Sequence, residues 1–259
     1  MRRRLERMCI TALGLVLLWQ MAVWTAGMPA FILPGPVAVM NAFVVHAEVL
    51  WDDTLITLAE IALGLALGCA LGIATALFIS YARPARRWLL PVLVASQAVP
   101  VFALAPVLVL WFGYGMASKV VMAALVIFFP VTAAFFDGLR RTEPGWLDLA
   151  RTMGASREAI LRHVRVPAAL PALGSGLRMA AAFAPIGAII GEWVGSSGGL
   201  GYRMIQANAR VQIDLLFAAL LILAVFGVLL YYAVDAGVRR ALHWQPETIP
   251  TDDENGAPP

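Results

Sequence analysis

Apolar positions in this chain come in long runs, not in the alternating or single-face patterns of a soluble domain. Six runs approach the roughly 20 residues a helix needs to cross a bilayer. They lie near Cys9–Ala26, Leu55–Tyr81, Trp88–Phe112, Val120–Phe136, Leu170–Val194 and Leu215–Val234. The last carries no charge. The third is interrupted by Pro91, Pro100 and Pro106, and the fifth by Pro171 and Pro185. A proline frees a carbonyl that lipid cannot satisfy, so these two runs are expected to be buried among other helices. The pattern predicts an all-α polytopic membrane protein with six transmembrane helices.

Composition agrees: 61% of the 259 residues are hydrophobic and 14% charged, with a mean hydropathy of +0.81. The arginines add sidedness. Arg2, Arg3, Arg4 and Arg7 precede the first run, and Arg83, Arg86 and Arg87 follow the second. Arg140, Arg141, Arg151, Arg157, Arg162 and Arg165 separate the fourth from the fifth, and Arg239 and Arg240 follow the sixth. The opposite side holds Lys119, Arg203 and Arg210. This asymmetry predicts that both termini, and the large loop 138–169, are cytoplasmic. The net charge of +3 is then a sign of sidedness and not a nucleic-acid footprint. Cys9 and Cys69 fall inside predicted spans, which argues against a disulfide. The basic start and apolar run resemble a signal peptide, but no small-x-small site clearly follows, so an uncleaved first span is expected.

Three regions follow: residues 1–50, a first span with a proline-punctuated external segment; residues 51–236, the transmembrane core; and residues 237–259, a polar, acidic tail expected to be disordered. Gly64, Gly68 and Gly72 recur at every fourth position of the second span. They leave a groove on one helix face where another backbone can approach closely.

The stretch "LARTMGASREAILRHVRVP", residues 149–167, breaks the apolar pattern with four arginines and a glutamate. Thr142 and Pro144 suggest a helix start, and a helix through Trp146–Met153 would stop at Gly154. Ser156 would cap a second helix, on which Glu158 and Arg162 stand one turn apart and which Pro167 would stop. Two short amphipathic helices at a glycine corner form either an interfacial element lying on head groups or a docking surface for another protein.

The spacing resembles the cytoplasmic loop of ATP-binding-cassette importer permeases. In that family the pattern reads Glu-Ala-Ala, three residues, Gly, nine residues, Ile-x-Leu-Pro. Here it reads Asp148-Leu149-Ala150, Gly154, Val164-Arg165-Val166-Pro167. The likeness extends over residues 50–245, including "ILPGPVAV", "PVFALAPVLVLWFGYGMASKV" and "GEWVGSSGGLGY", and is nearest to permeases assigned to hydroxymethylpyrimidine. It implies the type I importer permease fold in a bacterial inner membrane. It also implies that Asp148, Ala150, Gly154, Ser156, Val164, Val166 and Pro167 form an ATPase-coupling loop. The implied partners are two ATP-binding-cassette ATPase subunits, a second permease copy in a homodimer, an external solute-binding protein and membrane lipid, with no nucleic acid. ATP would be used by the partner ATPase, and no cofactor would be bound by this chain. The implied cargo is hydroxymethylpyrimidine or another thiamine precursor, with aliphatic sulfonate, taurine or nitrate as alternatives.

Ionisable groups within spans are costly and usually face protein or water. Glu60 enters the second span. Asp137, Asp214 and Asp235 lie near span ends and read as interfacial anchors, and Arg178 is expected to pair with a neighbouring helix or to snorkel. Gln97, beside Ser96, and Glu192 are candidates either for the translocation pathway or for helix-packing hydrogen bonds. Enzyme chemistry is not expected. His46, His163 and His243 form no metal spacing, and "GYGMASK" lacks the phosphate-cradle motif. A stand-alone secondary transporter, the alternative from another class, would show inverted repeats with a charged mid-membrane site; neither is visible.

Overall fold

The computed structural model describes residues 2–245. Among these, every regular element is helical: α1 (Arg2–Ala26), α2 (Pro36–Val45), α3 (Ala47–Tyr81), α4 (Arg83–Ser96), a 3-10 turn (Val101–Leu104), α5 (Ala105–Phe112), α6 (Met116–Arg140), α7 (Pro144–Thr152), α8 (Arg157–Ile160), a π-helical turn (Leu161–Arg165), α9 (Val166–Gly195), α10 (Leu200–Ala209) and α11 (Ile213–Ala241). Four stretches are long and apolar enough to cross a membrane: Ala47–Tyr81, Met116–Arg140, Arg157–Gly195 and Ile213–Ala241. The bent pair Pro84–Ser96 and Val101–Phe112 raises the number to up to five if counted as one span. In α1 the apolar portion is the shorter Leu13–Ala26.

Several boundaries differ from the expectation. The third apolar run is two helices: α4 ends at Ser96, and Pro100 is extended at φ −60° and ψ 115° ahead of the 3-10 turn. The segment after α1 is not all irregular: Gly35 is extended at φ −75° and ψ 160°, and Pro36 then supplies the preset φ of a first helical position. A helix, α10, also forms within "GSSGGLGYRMIQANARVQI". At the other end α11 continues through Ala241, and most of the tail expected to be disordered, residues 246–259, lies outside the described residues.

The described residues divide into two compact units. The first takes the residues up to Gly68 with Val99–Val126 and Phe183–Val228. Its core gathers Val39, Ala42, Leu50, Ile189, Leu200, Leu215 and Ala218, with Trp19 stacked on Phe217 at 6.0 Å between centroids. Small residues set the spacing here. A Cβ on Gly64 would lie 2.4 Å from Ala123 Cβ, and one on Gly187 would lie 2.7 Å from Ala123 Cα. α3 and α9 therefore both press on α6 at one alanine, the close approach that small residues permit in membranes. Gly68 is buried.

The second unit takes Cys69–Ala98, Ile127–Ala182 and the described residues from Leu229 on. Its core is Ala76, Ile79, Phe135, Phe136, Leu139 and Ala169. A Cβ on Gly72 would sit 3.0 Å from Phe128 O, and one on Gly138 would sit 2.7 Å from Ala172 Cβ. Within this unit Arg178 of α9 donates from Nε to Asp235 Oδ1 of α11 at 2.6 Å, and Arg239 donates to Asp235 Oδ2 at 2.9 Å. Asp235 thus holds two arginines and is a helix tie as well as a polar end group.

Candidate functional site: an exposed elbow and a buried capping cluster

The elbow of the second unit is built locally. Glu143, with extended ψ of 128°, precedes Pro144 at the first helical position of α7. Thr142 does not cap this helix; its hydroxyl donates to Leu139 O at 3.2 Å and closes the end of α6 instead. α7 ends in a two-bond reversal: Gly154 N–H donates to Arg151 O and Ala155 N–H to Ala150 O, both at 2.9 Å. That closure needs a left-handed residue, and Gly154 supplies φ +78°. Ser156 then caps α8 by accepting from Ala159 N at 3.2 Å.

The next step departs from the expectation. Pro167 does not stop this helix. The chain passes from α8 through the π turn, where Val166 N–H donates to Leu161 O, directly into α9. A proline in an α-helix collides with the carbonyl four residues back and lacks the N–H to bond it. Five-residue bonding through Arg165 and Val166 shifts that register, so Pro167 sits in the first turn of α9. Glu158 and Arg162 form no ion pair among the described residues. Asp148 instead pairs with Arg151 on its own helix, Oδ1 to Nη1 at 2.6 Å, on an exposed surface.

Besides this pair, the elbow turns apolar side chains outward. Trp146, Leu149 and Met153 are 52%, 61% and 77% exposed, while Leu147 turns inward. With Ala150, His163, Val164, Pro167, Ala168 and Trp244 the three line a surface groove of about 460 Å³. The sequence-predicted Ala150, Val164 and Pro167 thus share one groove, whereas Gly154 and Ser156 shape the corner behind it. Contiguous exposed apolar surface of this kind marks a face that meets another protein or the membrane.

A second arrangement lies in the first unit. The first four N–H groups of a helix lack intrahelical partners, and at α10 side chains from α3 and α9 satisfy them. Gly199 N donates to Asp53 Oδ1 at 2.9 Å, Leu200 N to Thr57 Oγ1 at 2.8 Å, and Gly201 N and Tyr202 N to Glu192 Oε2. Thr57 in turn donates its hydroxyl to Glu192 Oε1 at 2.6 Å, and Arg203 Nε reaches Asp53 Oδ2 at 2.7 Å. Two carboxylates at a helix N-terminus are also favoured by the helix dipole. Both Glu192 oxygens are therefore occupied by protein donors. Gln97 has a different setting: it is exposed at the end of α4, with Nε2 3.4 Å from Ser96 Oγ.

Beside this cluster Lys119 Nζ lies 2.9 Å from Glu60 Oε1, with side chains 7% and 0% exposed. Sequence reasoning placed Lys119 in an external loop. In the structure it occupies the first turn of α6, and Gly191 of α9 makes room for it: a Cβ there would lie 3.0 Å from Lys119 Cα. Breaking a buried pair from one side strands a charge and costs about 3–5 kcal/mol, whereas replacing both partners is far milder. Lys119→Met should therefore destabilise the protein strongly, and Glu60→Gln combined with Lys119→Met should lie closer to the wild type. Denaturation of the purified protein in detergent measures both.

With this geometry in place, the chain can be classified: it is an integral membrane permease subunit. It belongs to the family described as the binding-protein-dependent transport system inner membrane component, whose model matches residues 64–243. It is 55% identical over 235 residues to a probable ABC transporter permease protein of Haemophilus influenzae, covering 91% of this chain and 96% of the relative. It is 38% identical to the formylaminopyrimidine transport permease protein ThiX of Halalkalibacterium halodurans, covering 90% and 93% respectively. It is also 38% identical to the riboflavin transport system permease protein RibX of Chloroflexus aurantiacus, covering 91% and 89%. Among solved structures, an inward-facing MetNI methionine ABC transporter matches with TM-score 0.66 at 21% identity, over 75% of this chain and 97% of that one.

Proposed function

We propose that this permease moves a pyrimidine-type thiamine precursor, such as hydroxymethylpyrimidine, inward, and that its α7–α8 elbow is the surface on which an ATPase subunit acts. One observation carries the coupling reading: a glycine-cornered elbow that turns Trp146, Leu149 and Met153 outward on an otherwise polar loop. An apolar groove on a rigid corner is what a partner subunit needs in order to push on α9, which the elbow enters without a break. In this reading Asp148, Ala150, Gly154, Ser156, Val164, Val166 and Pro167 form the coupling loop, the termini and the elbow face the cytoplasm, and α1 and the α4–α5 pair complete six spans. Two copies form the pore, two ATPase subunits supply the ATP chemistry, and an external binding protein delivers the solute. Glu192 holds α10 in place, and Gln97 is the remaining candidate for the pathway.

Leu149→Asp tests the coupling assignment. Leu149 is exposed, so the charge costs this chain little stability, yet it is expected to remove most co-purifying ATPase subunit and ATP-dependent uptake in proteoliposomes. Full retention of both, or uptake by the permease alone driven by an ion gradient, rejects the assignment. The pyrimidine reading is supported by the likeness to ThiX, and calorimetry of the soluble binding-protein partner decides it. Hydroxymethylpyrimidine and formylaminopyrimidine should bind, and taurine, alkanesulfonates, nitrate and riboflavin should not.

A further inference from the structure

Away from the apolar face of the elbow, four arginines surround one cavity. It measures about 470 Å³, and Arg86, Arg151, Arg157 and Arg165 line it together with Ser80 and Tyr81. No carboxylate-bearing residue is among its lining residues. Arg157 is fixed in place: its Nη2 donates to Tyr81 O, and its guanidinium carbon stands 5.4 Å from the Tyr81 ring centroid. Arg151 is held by Asp148 at 2.6 Å. Arg86 and Arg165 form no ion pair among the described residues, and the buried Arg165 Nε has no hydrogen-bond partner. Arg165 therefore sits in the like-charge field of Arg86, Arg151 and Arg157, of which only Arg151 is paired with a carboxylate among the described residues, that of Asp148.

Four arginines border this cavity and only Arg151 among them has a carboxylate partner in the described residues, so their charges repel one another unless an anion lies among them. The anion that suits several planar donor forks at once has multiple oxygens and can be bound bidentately, which describes a phosphate group. The Ser80 hydroxyl adds a neutral donor. Arg86 leads into Arg87 and Trp88, and Trp88 is 76% exposed, the combination of arginine and indole found where helices meet head groups. We propose that this cavity binds the phosphate of an anionic phospholipid head group. The proposal rests on the family's place in a membrane and not on the coupling role of the elbow.

The test uses the full-length protein in detergent, with native mass spectrometry as readout. The probes are dioleoylphosphatidylglycerol, dioleoylphosphatidylcholine (whose choline neutralises its phosphate) and inorganic phosphate. Phosphatidylglycerol should be retained in preference to phosphatidylcholine. Arg86→Gln, at an exposed position, should weaken that retention about fivefold, and Arg86→Gln with Arg165→Gln about thirtyfold. The corresponding lysine pair keeps the charges and should retain most of the binding. Displacement of the lipid by millimolar inorganic phosphate alone would identify the free anion as the occupant of the same phosphate site; failure to displace it identifies the head group. Equal retention of the two lipids, or unchanged phosphatidylglycerol binding in both glutamine variants, overturns the proposal. If those variants lost the ATPase subunit while keeping the lipid, an acidic partner surface would be the occupant and the proposal would likewise fail.

Discussion

Gly199→Ala is expected to unseat α10 and to cost roughly 2–6 kcal/mol, combining backbone strain with overpacking. The chain passes Gly199 at φ +107° and ψ 163°, a region essentially confined to glycine. A Cβ at that point would stand 2.4 Å from the Glu192 carboxyl carbon, where nothing can yield without losing the cap on Gly201 and Tyr202. The strain and the steric conflict separate experimentally. Glu192→Ala removes the obstacle and the cap together, so the double variant Gly199→Ala with Glu192→Ala should lose less than the sum of the singles. It should still fall well below the wild type. Thermal denaturation in detergent gives the ranking, and limited proteolysis between Ser196 and Arg210 shows whether α10 is the part released. A Gly199→Ala protein that melts like the wild type would show that the capping cluster does not hold this helix.

That cluster also shows where sequence reasoning stops. The elbow was legible because its causes are local: a glycine that takes φ +78°, a serine two residues on that caps the next turn, and a proline opening α7. The four long apolar spans were legible for the same reason, each being a property of a contiguous run. The capping cluster is not local, since it joins Asp53, Thr57 and Glu60 on α3 to Lys119, Glu192 and the backbone of residues 199–202. One signal was present. Asp53, Thr57 and Glu60 are spaced four and three residues apart, a polar stripe on one face of an otherwise apolar helix, and such a stripe needs polar partners elsewhere. Lys119 was its match, hidden because a lone lysine between apolar runs reads as a loop charge. The π turn was illegible for a different reason: proline after a basic helix reads as a stop, and only the backbone register shows how α9 absorbs it.

The elbow's geometry sets the last prediction, with the largest effect on function and a small one on folding. Proline fixes φ near −65° and has no N–H, so Gly154→Pro removes both the left-handed corner and the bond from Gly154 to Arg151 O. Nothing lies within 4 Å of a Cβ at this position, so the damage comes from the backbone of the corner and not from a side-chain clash. Asp148→Arg leaves the backbone alone and exchanges an exposed ion pair, worth at most about 1 kcal/mol, for a reversed charge next in sequence to Leu149, which lines the groove. If the elbow passes force from an ATPase subunit to α9, both variants should insert and elute normally yet lose ATP-dependent uptake in proteoliposomes, by two different routes. Gly154→Asn, which tolerates the left-handed region, should keep most of it. Near-normal transport by the proline and arginine variants together would mean that neither the corner nor its charge takes part in coupling. The exposed tryptophan and leucine would then need another partner to explain them.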